Sequence, residues 1–381
     1  MFVFSFEWLL MKMKAIRDKL KKHQYLYYVF REIMKKRGER ELLWKDAVRR
    51  FEEGTAKHGN LKEYKRALYR HRFLYKEYDA YKLWNSDKKR SEEFISEKEI
   101  QCIYRKTVQV KVAKCFTDKK EQLELFGKFV YRKWLYPQSV TFEAFKEFVT
   151  SNDCIAKPRG GLQGQNIFLV QKGDEQDMKR LFEYCCKNSF LIEEYTRACS
   201  EIEAFHPQSL NTIRVFTISK HDKVEILDAE FRMGIHDNVV DNAHCGGVLA
   251  SINIDTGTLV GNGFDMSGNE YVVHPDSGKT IKGFVIPHWD EIVKVCKEAA
   301  TIVPETVFAG WDICVRQGGE IELIEVNAVP GVTGLQTSRQ KGLKPRLKLV
   351  GEDVLGYNPL KLISVWSRSY VKYDVKYGYW M

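Results

Sequence analysis

The sequence predicts an α+β protein in which a basic, mostly helical region precedes a region of mixed strands and helices. Three observations support this. Residues 1–120 carry a net charge of +15 and the rest of the 381-residue chain carries −5, so the overall +10 is concentrated at the front. Aromatic residues in that front recur at three- and four-residue intervals, the period of a helix face. From about residue 153 the texture changes to β-branched runs, glycines and polar–apolar alternation, the pattern of strands. With 44% apolar residues the chain can bury a substantial core, divided into two or three packing units.

Residues 1–10 form an apolar run interrupted by Glu7, too short to span a bilayer. Lys12 and Lys14 follow this run instead of preceding it, unlike a signal peptide. Residues 11–115 read as helices punctuated at Gly54 and Gly59–Asn60. Tyr25, Tyr28, Trp44, Phe51, Tyr64, Phe73, Tyr78, Tyr81 and Trp84 supply the apolar stripe. Aromatics interleaved with Lys and Arg can also stack on single-stranded nucleic acid. Helical spacing favours a bundle core, however, and no nucleic-acid partner is expected. The basic surface suits an anionic membrane face or a polyanionic glycan.

Ser96 with Glu99 three residues on is a capping-box signature and predicts a helix over about 97–114. Thr117 or Asp118 caps a helix expected to reach Tyr131, and Thr141 caps a short one to about Val149. Strands are predicted at 154–157, 166–170, 190–193, 212–219, 224–232 and 247–254, with helices at 174–187 and 289–303. The tail, 335–381, is basic and aromatic with weaker structural signals. The nine cysteines include no C-x-x-C, so neither a disulfide framework nor a zinc pattern is present, and a reducing cytoplasmic compartment fits.

Chemistry is concentrated in three stretches. In Gly310-Trp311-Asp312-Ile313-Cys314-Val315 and Glu320-Ile321-Glu322-Leu323-Ile324-Glu325-Val326-Asn327, alternation flanks a turn at Gly318-Gly319, which predicts a hairpin. Glu325 and Asn327 then share a face, with Asp312 opposite Glu325. Two carboxylates and an amide oxygen are hard donors suited to Mg²⁺; the other reading is a surface hairpin with polar outward positions. In the second stretch, Lys157-Pro158-Arg159-Gly160-Gly161-Leu162-Gln163-Gly164 joins a strand to a Gly-rich loop whose backbone could cradle phosphates, although it is not a Walker A loop. In the third, Leu191-Ile192-Glu193-Glu194-Tyr195 is an apolar strand ending in acids. His206, His236, His244, His274 and His288 show no metal-ligand spacing.

These pieces, with Asp118-Lys119 at a helix start, resemble the ATP-grasp superfamily in order and spacing over roughly residues 115–332. The spacing of Asp312, Glu325 and Asn327 is like that of D-alanine–D-alanine ligases. More narrowly, Ser209-Leu210-Asn211-Thr212-Ile213-Arg214-Val215, His244-Cys245-Gly246-Gly247-Val248, Ile286-Pro287-His288-Trp289 and Gly310-Trp311-Asp312 resemble the sugar-transfer-associated ATP-grasp family, linked to capsule and exopolysaccharide gene clusters. The resemblance implies two α/β subdomains clasping ATP, with a basic helical region at 1–115, the ATP-grasp domain at 116–334 (lid about 150–195) and a C-terminal extension at 335–381 packing on it.

It also implies roles. Lys119 or Lys120, Lys157 and Arg159 would hold phosphates, with Gly160, Gly161 and Gly164 as the lid loop. Glu193, Glu194 and Tyr195 would meet adenine and Glu201 the ribose. Asp312, Glu325 and Asn327 would bind two Mg²⁺ ions. Arg214 and Arg232 would clamp the γ-phosphate. Gly310 departs from several peptide-bond-forming relatives, which carry Arg there, so Arg214, Arg232 or Arg339 would supply the positive charge. The implied reaction joins a sugar-derived carboxylate to an amino-acid amine through an acyl phosphate, in the cytoplasm or at the inner face of the membrane. Phosphoryl transfer without amide formation and a non-catalytic nucleotide- or glycan-binding scaffold are the alternatives.

Overall fold

In the computed structural model, residues 41–363 are described except 55, 57, 161–165, 239–240 and 242–245. Tyr25, Tyr28, Gly161, Gly164, His244, Cys245 and the tail beyond 363 therefore lie outside the described residues.

The front of the described chain is a small helical layer. Asn60 caps helix Leu61–His71 by accepting Glu63 N–H at 3.0 Å, as the Gly59–Asn60 break predicts. Tyr64, Leu68, Phe73, Tyr78, Tyr81 and Phe94 are buried in one cluster, so the aromatic stripe is a core and its rings are committed to one another. The Ser96–Glu99 capping box is formed. The helix it starts runs over Glu97–Thr107, and a separate helix follows at Val110–Cys115, where one continuous helix was expected. The break falls at β-branched Thr107-Val108, where the Thr107 hydroxyl bonds back to Ile103 O at 3.0 Å and Val108 turns into the core.

Asp118 caps helix Lys119–Leu125 by accepting the N–H groups of Lys120 and Glu121. This helix ends six residues before Tyr131, giving way to a 3₁₀ turn at Gly127–Phe129. The tighter turn places both Phe126 and Phe129 in the core, and Gly127 is a poor helix former.

Eleven strands build two antiparallel sheets among the described residues. The smaller sheet contains β1 (Trp134–Leu135), β2 (Cys154–Pro158), β3 (Phe168–Leu169) and β4 (Phe190–Glu194), in the order β1-β4-β2-β3. Helices Phe142–Ser151 and Glu175–Lys187, capped by Thr141 and Asp174, pack Phe145, Val149, Met178 and Cys185 against Cys154, Ala156, Phe190 and Ile192. That commits one face of the sheet to packing. Ile155, Lys157, Leu191 and Glu193 alternate onto the other.

The larger sheet holds β5 (Ile213–Lys220), β6 (Lys223–Met233), β7 (Val248–Ser251), β8 (Gly263–Phe264), β9 (Glu270–Tyr271), β10 (Phe308–Val315) and β11 (Ile321–Asn327). Its order is β11-β10-β5-β6-β7-β8-β9. Helix Trp289–Ile302 buries Ile292, Cys296, Ala299 and Ala300 in the main core. The start of the tail is more ordered than its composition suggests. Helices Thr333–Arg339 and Lys344–Leu355 follow β11, and the second inserts Leu347, Val354 and Leu355 into the same core.

Candidate active site

The hairpin forms in the predicted register. Asp312 pairs with Glu325, and Gly319 takes a φ of +87° in the turn, a conformation glycine adopts without strain. The row continues across the sheet: Asp312 faces Arg214 on β5, Arg214 faces Glu230 on β6, and Glu230 faces Ser251 on β7. Directly opposed residues of an antiparallel pair share a face. One row therefore carries Glu325, Asp312, Arg214 and Glu230, with Arg232 two residues further along β6.

Asp312 is buried and grips two guanidiniums. Arg214 binds both its oxygens, with Nε donating to Oδ1 at 2.5 Å, and Arg232 Nη1 donates at 3.2 and 3.3 Å. Burial alone raises a carboxyl pKa, but Arg214 and Arg232 outweigh it and hold Asp312 below the usual range. At Glu230 burial outweighs the attraction of Arg232 and Arg214 and pushes the pKa up to about 7, and its Oε2 has no hydrogen-bond partner. Arg214 also occupies space beside Gly310, where an added Cβ would meet Pro330 at 2.7 Å and Arg214 Cδ at 3.9 Å. The chain thus brings a guanidinium in from the neighbouring strand at a point where its own strand has no room for a side chain.

Glu325 and Asn327 are half-buried, and Lys119 Nζ lies 3.7 Å from Glu325 Oε1. Two carboxylates and an amide oxygen suit a hard divalent cation. Glu325 and Asn327 are the accessible members of this set, while Asp312 has its oxygens committed to arginines. Among the described residues no group of three or more His, Cys, Asp or Glu side chains is arranged to hold a metal.

On the smaller sheet, Lys157 Nζ donates to Glu193 Oε2 at 2.8 Å, and Arg132 Nε donates to the same oxygen at 2.6 Å. Burial works against the Glu193 charge, but the two cations prevail and hold it at about 2. Arg132 goes further: Nη1 donates to Glu322 at 2.9 Å and to Leu323 O at 2.8 Å, tying the smaller sheet to β11. Nothing local in the sequence marks Arg132 or Glu322. Arg132 precedes a two-residue strand, and Glu322 sits in an alternation that reads as solvent-facing.

The remaining candidate residues divide. Arg159 forms a bidentate pair with Asp118, Nε to Oδ1 at 2.9 Å and Nη2 to Oδ2 at 2.7 Å, fastening the start of the Gly loop to helix Lys119–Leu125. Gly160 is exposed, with open space where a Cβ would be. Glu194 accepts Lys133 N–H at 3.1 Å and Tyr195 O–H donates to Gln208 O at 3.3 Å. Tyr195 lines a cavity of about 440 Å³ together with Leu169, Arg197, Gln208 and Asp237. Glu201 is exposed and lies apart, in a recess of about 350 Å³ with His288 and Arg316 at the turn end of the hairpin. No described helix is long and apolar enough to cross a membrane.

Two sheets, one bearing Lys157 and Glu193 and the other an opposed Asp312–Glu325 pair, joined through Arg132, are the parts of an ATP-grasp fold. The chain belongs to the sugar-transfer associated ATP-grasp family, whose model matches residues 126–352. Among solved structures, the chain is similar to the ATP-grasp ligase PsnB complexed with minimal precursor, Mg and ADP, at 15% identity and a TM-score of 0.41, covering 67% of this chain and 62% of that one. It is also similar to N5-carboxyaminoimidazole ribonucleotide synthetase from Thermotoga maritima, at 11% identity and a TM-score of 0.35, covering 62% and 49%. A third similarity is to N5-carboxyaminoimidazole synthetase from Staphylococcus aureus complexed with ADP, at 11% and 0.39, covering 64% and 54%. The chain thus spans about half to three-fifths of the length of these structures. No curated protein sequence matches it.

Proposed function

We propose that the chain is an ATP- and Mg²⁺-dependent ligase that joins a carboxylate to an amine, the carboxylate being a sugar-derived acid and the amine an amino acid. The observation that carries this reading is the row Glu325–Asp312–Arg214: hard-cation donors and a guanidinium aligned on one sheet face, as phosphoryl transfer to a carboxylate requires. In this reading Lys119 and Lys157 hold the nucleotide phosphates, with residues 160–164 as the loop over them. Glu193, Glu194 and Tyr195 border the base, and Glu201 is the ribose candidate. Glu325 and Asn327 hold Mg²⁺, one or two ions to be counted by titration, and Asp312 joins them only where the ion competes with Arg214 and Arg232 for its oxygens. Bound Mg²⁺ would neutralise charge on the transferring phosphoryl group. Arg214 and Arg232 offset the repulsion between that group and the incoming carboxylate. The chain divides in this reading at about residues 115 and 334, with the lid at 150–195.

ADP release by purified protein should be screened against paired uronic acids and amino acids, with mass spectrometry of the products. An amide mass, with ¹⁸O passing from the carboxylate into phosphate, is the expected result. A phosphorylated acceptor without an amide would instead make the protein a phosphotransferase.

A further inference from the structure

Two buried polar atoms on β6, Glu230 Oε2 and Arg232 Nε, have no hydrogen-bond partner among the described residues. The residues that carry them are 5% and 8% exposed. They stand two apart in a stretch that pairs regularly with β7, so both side chains rise from one sheet face with their Cα atoms roughly 7 Å apart. An extended arginine side chain spans that distance. Of the cations acting on Glu230, Arg232 acts most strongly. The free oxygen is also roofed over by helix Thr333–Arg339, where a Cβ added at Gly334 would lie 2.8 Å from it. A partner for Oε2 must therefore come from the protein itself, and a buried acceptor left unpaired favours any arrangement that supplies one.

Arg232 spends its donors on Asp312 instead. Its Nη1 spans both Asp312 oxygens at 3.2 and 3.3 Å, whereas Arg214 Nε approaches Oδ1 at 2.5 Å. An ionised carboxylate offers about four lone-pair sites. Arg214 takes one on each oxygen and Arg232 takes the others, which leaves Asp312 none for a cation.

We propose that Arg232 is a two-position arginine: it seals Asp312 in the metal-free protein and re-pairs through Nε with Glu230 Oε2 when Mg²⁺ joins the Asp312–Glu325–Asn327 set. This rests on the Mg²⁺ reading above. A divalent cation at Asp312 repels both guanidiniums. Arg214 keeps its place through the shorter fork, and Arg232 moves because a buried acceptor stands beside it. The exchange opens one lone pair on each Asp312 oxygen and satisfies both unpaired atoms. It also releases the Nη edge of Arg232 from Asp312, for the phosphoryl group and the incoming carboxylate. Glu230 touches neither of these and is a positioning residue.

The test compares the affinity of the full-length protein for ADP in Mg²⁺ and in EDTA, by calorimetry at pH 8, where Glu230 is ionised. The ratio of the two measures the hold on the metal. Glu230→Gln should lower this ratio by at least about tenfold, the worth of a hydrogen bond between charged groups. In an Arg232→Met background the same substitution should change it by less than about twofold, because no arginine remains to be moved. An effect of Glu230→Gln that persists undiminished in that background makes Glu230 a distant charge only and overturns the exchange. A wild-type crystal structure with Mg²⁺ and ADP needs no substitution: Arg232 on Glu230 is the expected arrangement, and Arg232 still on Asp312 beside bound Mg²⁺ overturns it. No difference between Mg²⁺ and EDTA in wild type defeats the Mg²⁺ reading itself, whereas a wild-type difference that Glu230→Gln leaves intact defeats the exchange alone.

Discussion

Arg132 and Glu193 meet at 2.6 Å with both side chains 2% exposed, and the same guanidinium reaches Glu322 on the other sheet at 2.9 Å. One cation therefore holds the smaller sheet to the larger one from inside, while Lys157 reads the same Glu193 oxygen from the open side. Glu193 serves the junction as much as any ligand.

Replacing Glu193 with Gln should cost about 3 kcal/mol, because Arg132 keeps its charge and loses a buried partner. The Glu193 pKa lies below its ordinary 4.5, at about 2, so its stabilisation is fully present above pH 4.5 and is lost as pH falls toward 2. Thermal unfolding of wild type and variant should differ most at neutral pH, and the gap should close below about pH 4.5.

Glu230 has the opposite sign. Burial raises it from 4.5 to about 7, so the stability associated with this group is present below pH 4.5 and is lost as pH rises through 7. Glu230→Gln removes the ionisation, and Oε2 has no hydrogen bond to lose. The variant should be the more stable protein at pH 8, by about 1–3 kcal/mol, and the difference should vanish below about pH 4.5 in melts across that range.

Glu325→Ala should abolish Mg²⁺-dependent ADP release, by at least about 10²-fold, with the melting temperature little changed because the side chain is partly exposed. Full ATP turnover in this variant would favour a role for the site other than phosphoryl transfer.

Glu97 accepts Val332 N–H at 2.8 Å, Thr333 N–H at 2.9 Å and the Thr333 hydroxyl at 2.7 Å. Its own N–H donates to Glu77 at 2.7 Å. Glu97→Ala should destabilise by about 2–3 kcal/mol through the stranded donors. It should also raise the Mg²⁺ concentration for half-maximal turnover, since the freed segment follows Asn327 directly. Calorimetry and a Mg²⁺ titration measure the two effects.

The hairpin was legible because its determinants are local: alternation sets the faces, Gly318-Gly319 sets the turn, and together they place Asp312 against Glu325. Helix caps at Ser96, Asp118 and Thr141 were readable for the same reason. The rest of the candidate site was not. Arg214 gripping Asp312 joins positions 98 residues apart, and Arg132 meeting Glu322 joins positions 190 apart, so no window of sequence contains either pair. The Arg159–Asp118 pair was hidden differently: an arginine beside a Gly loop reads as a phosphate ligand until the fold supplies a carboxylate.

The helical front is stitched to the rest of the molecule. Gln336 donates to Ile95 O and Tyr81 O–H and accepts Ile95 N–H, while Tyr104 O–H donates to Pro330 O. Ile100, Ile103 and Phe116 share the main core with Trp311 and Val326. The stretch shared with the family, 126–352, is therefore shorter than the folding unit. A polypeptide trimmed to that stretch would lose Lys119, leave Pro330 without its tyrosine and bare a face that the front now covers. What is common to the relatives marks where ancestry can be read, and a fragment that keeps the core of the front must begin upstream of it, before Leu43, Trp44 and Ala47, which pack in that core.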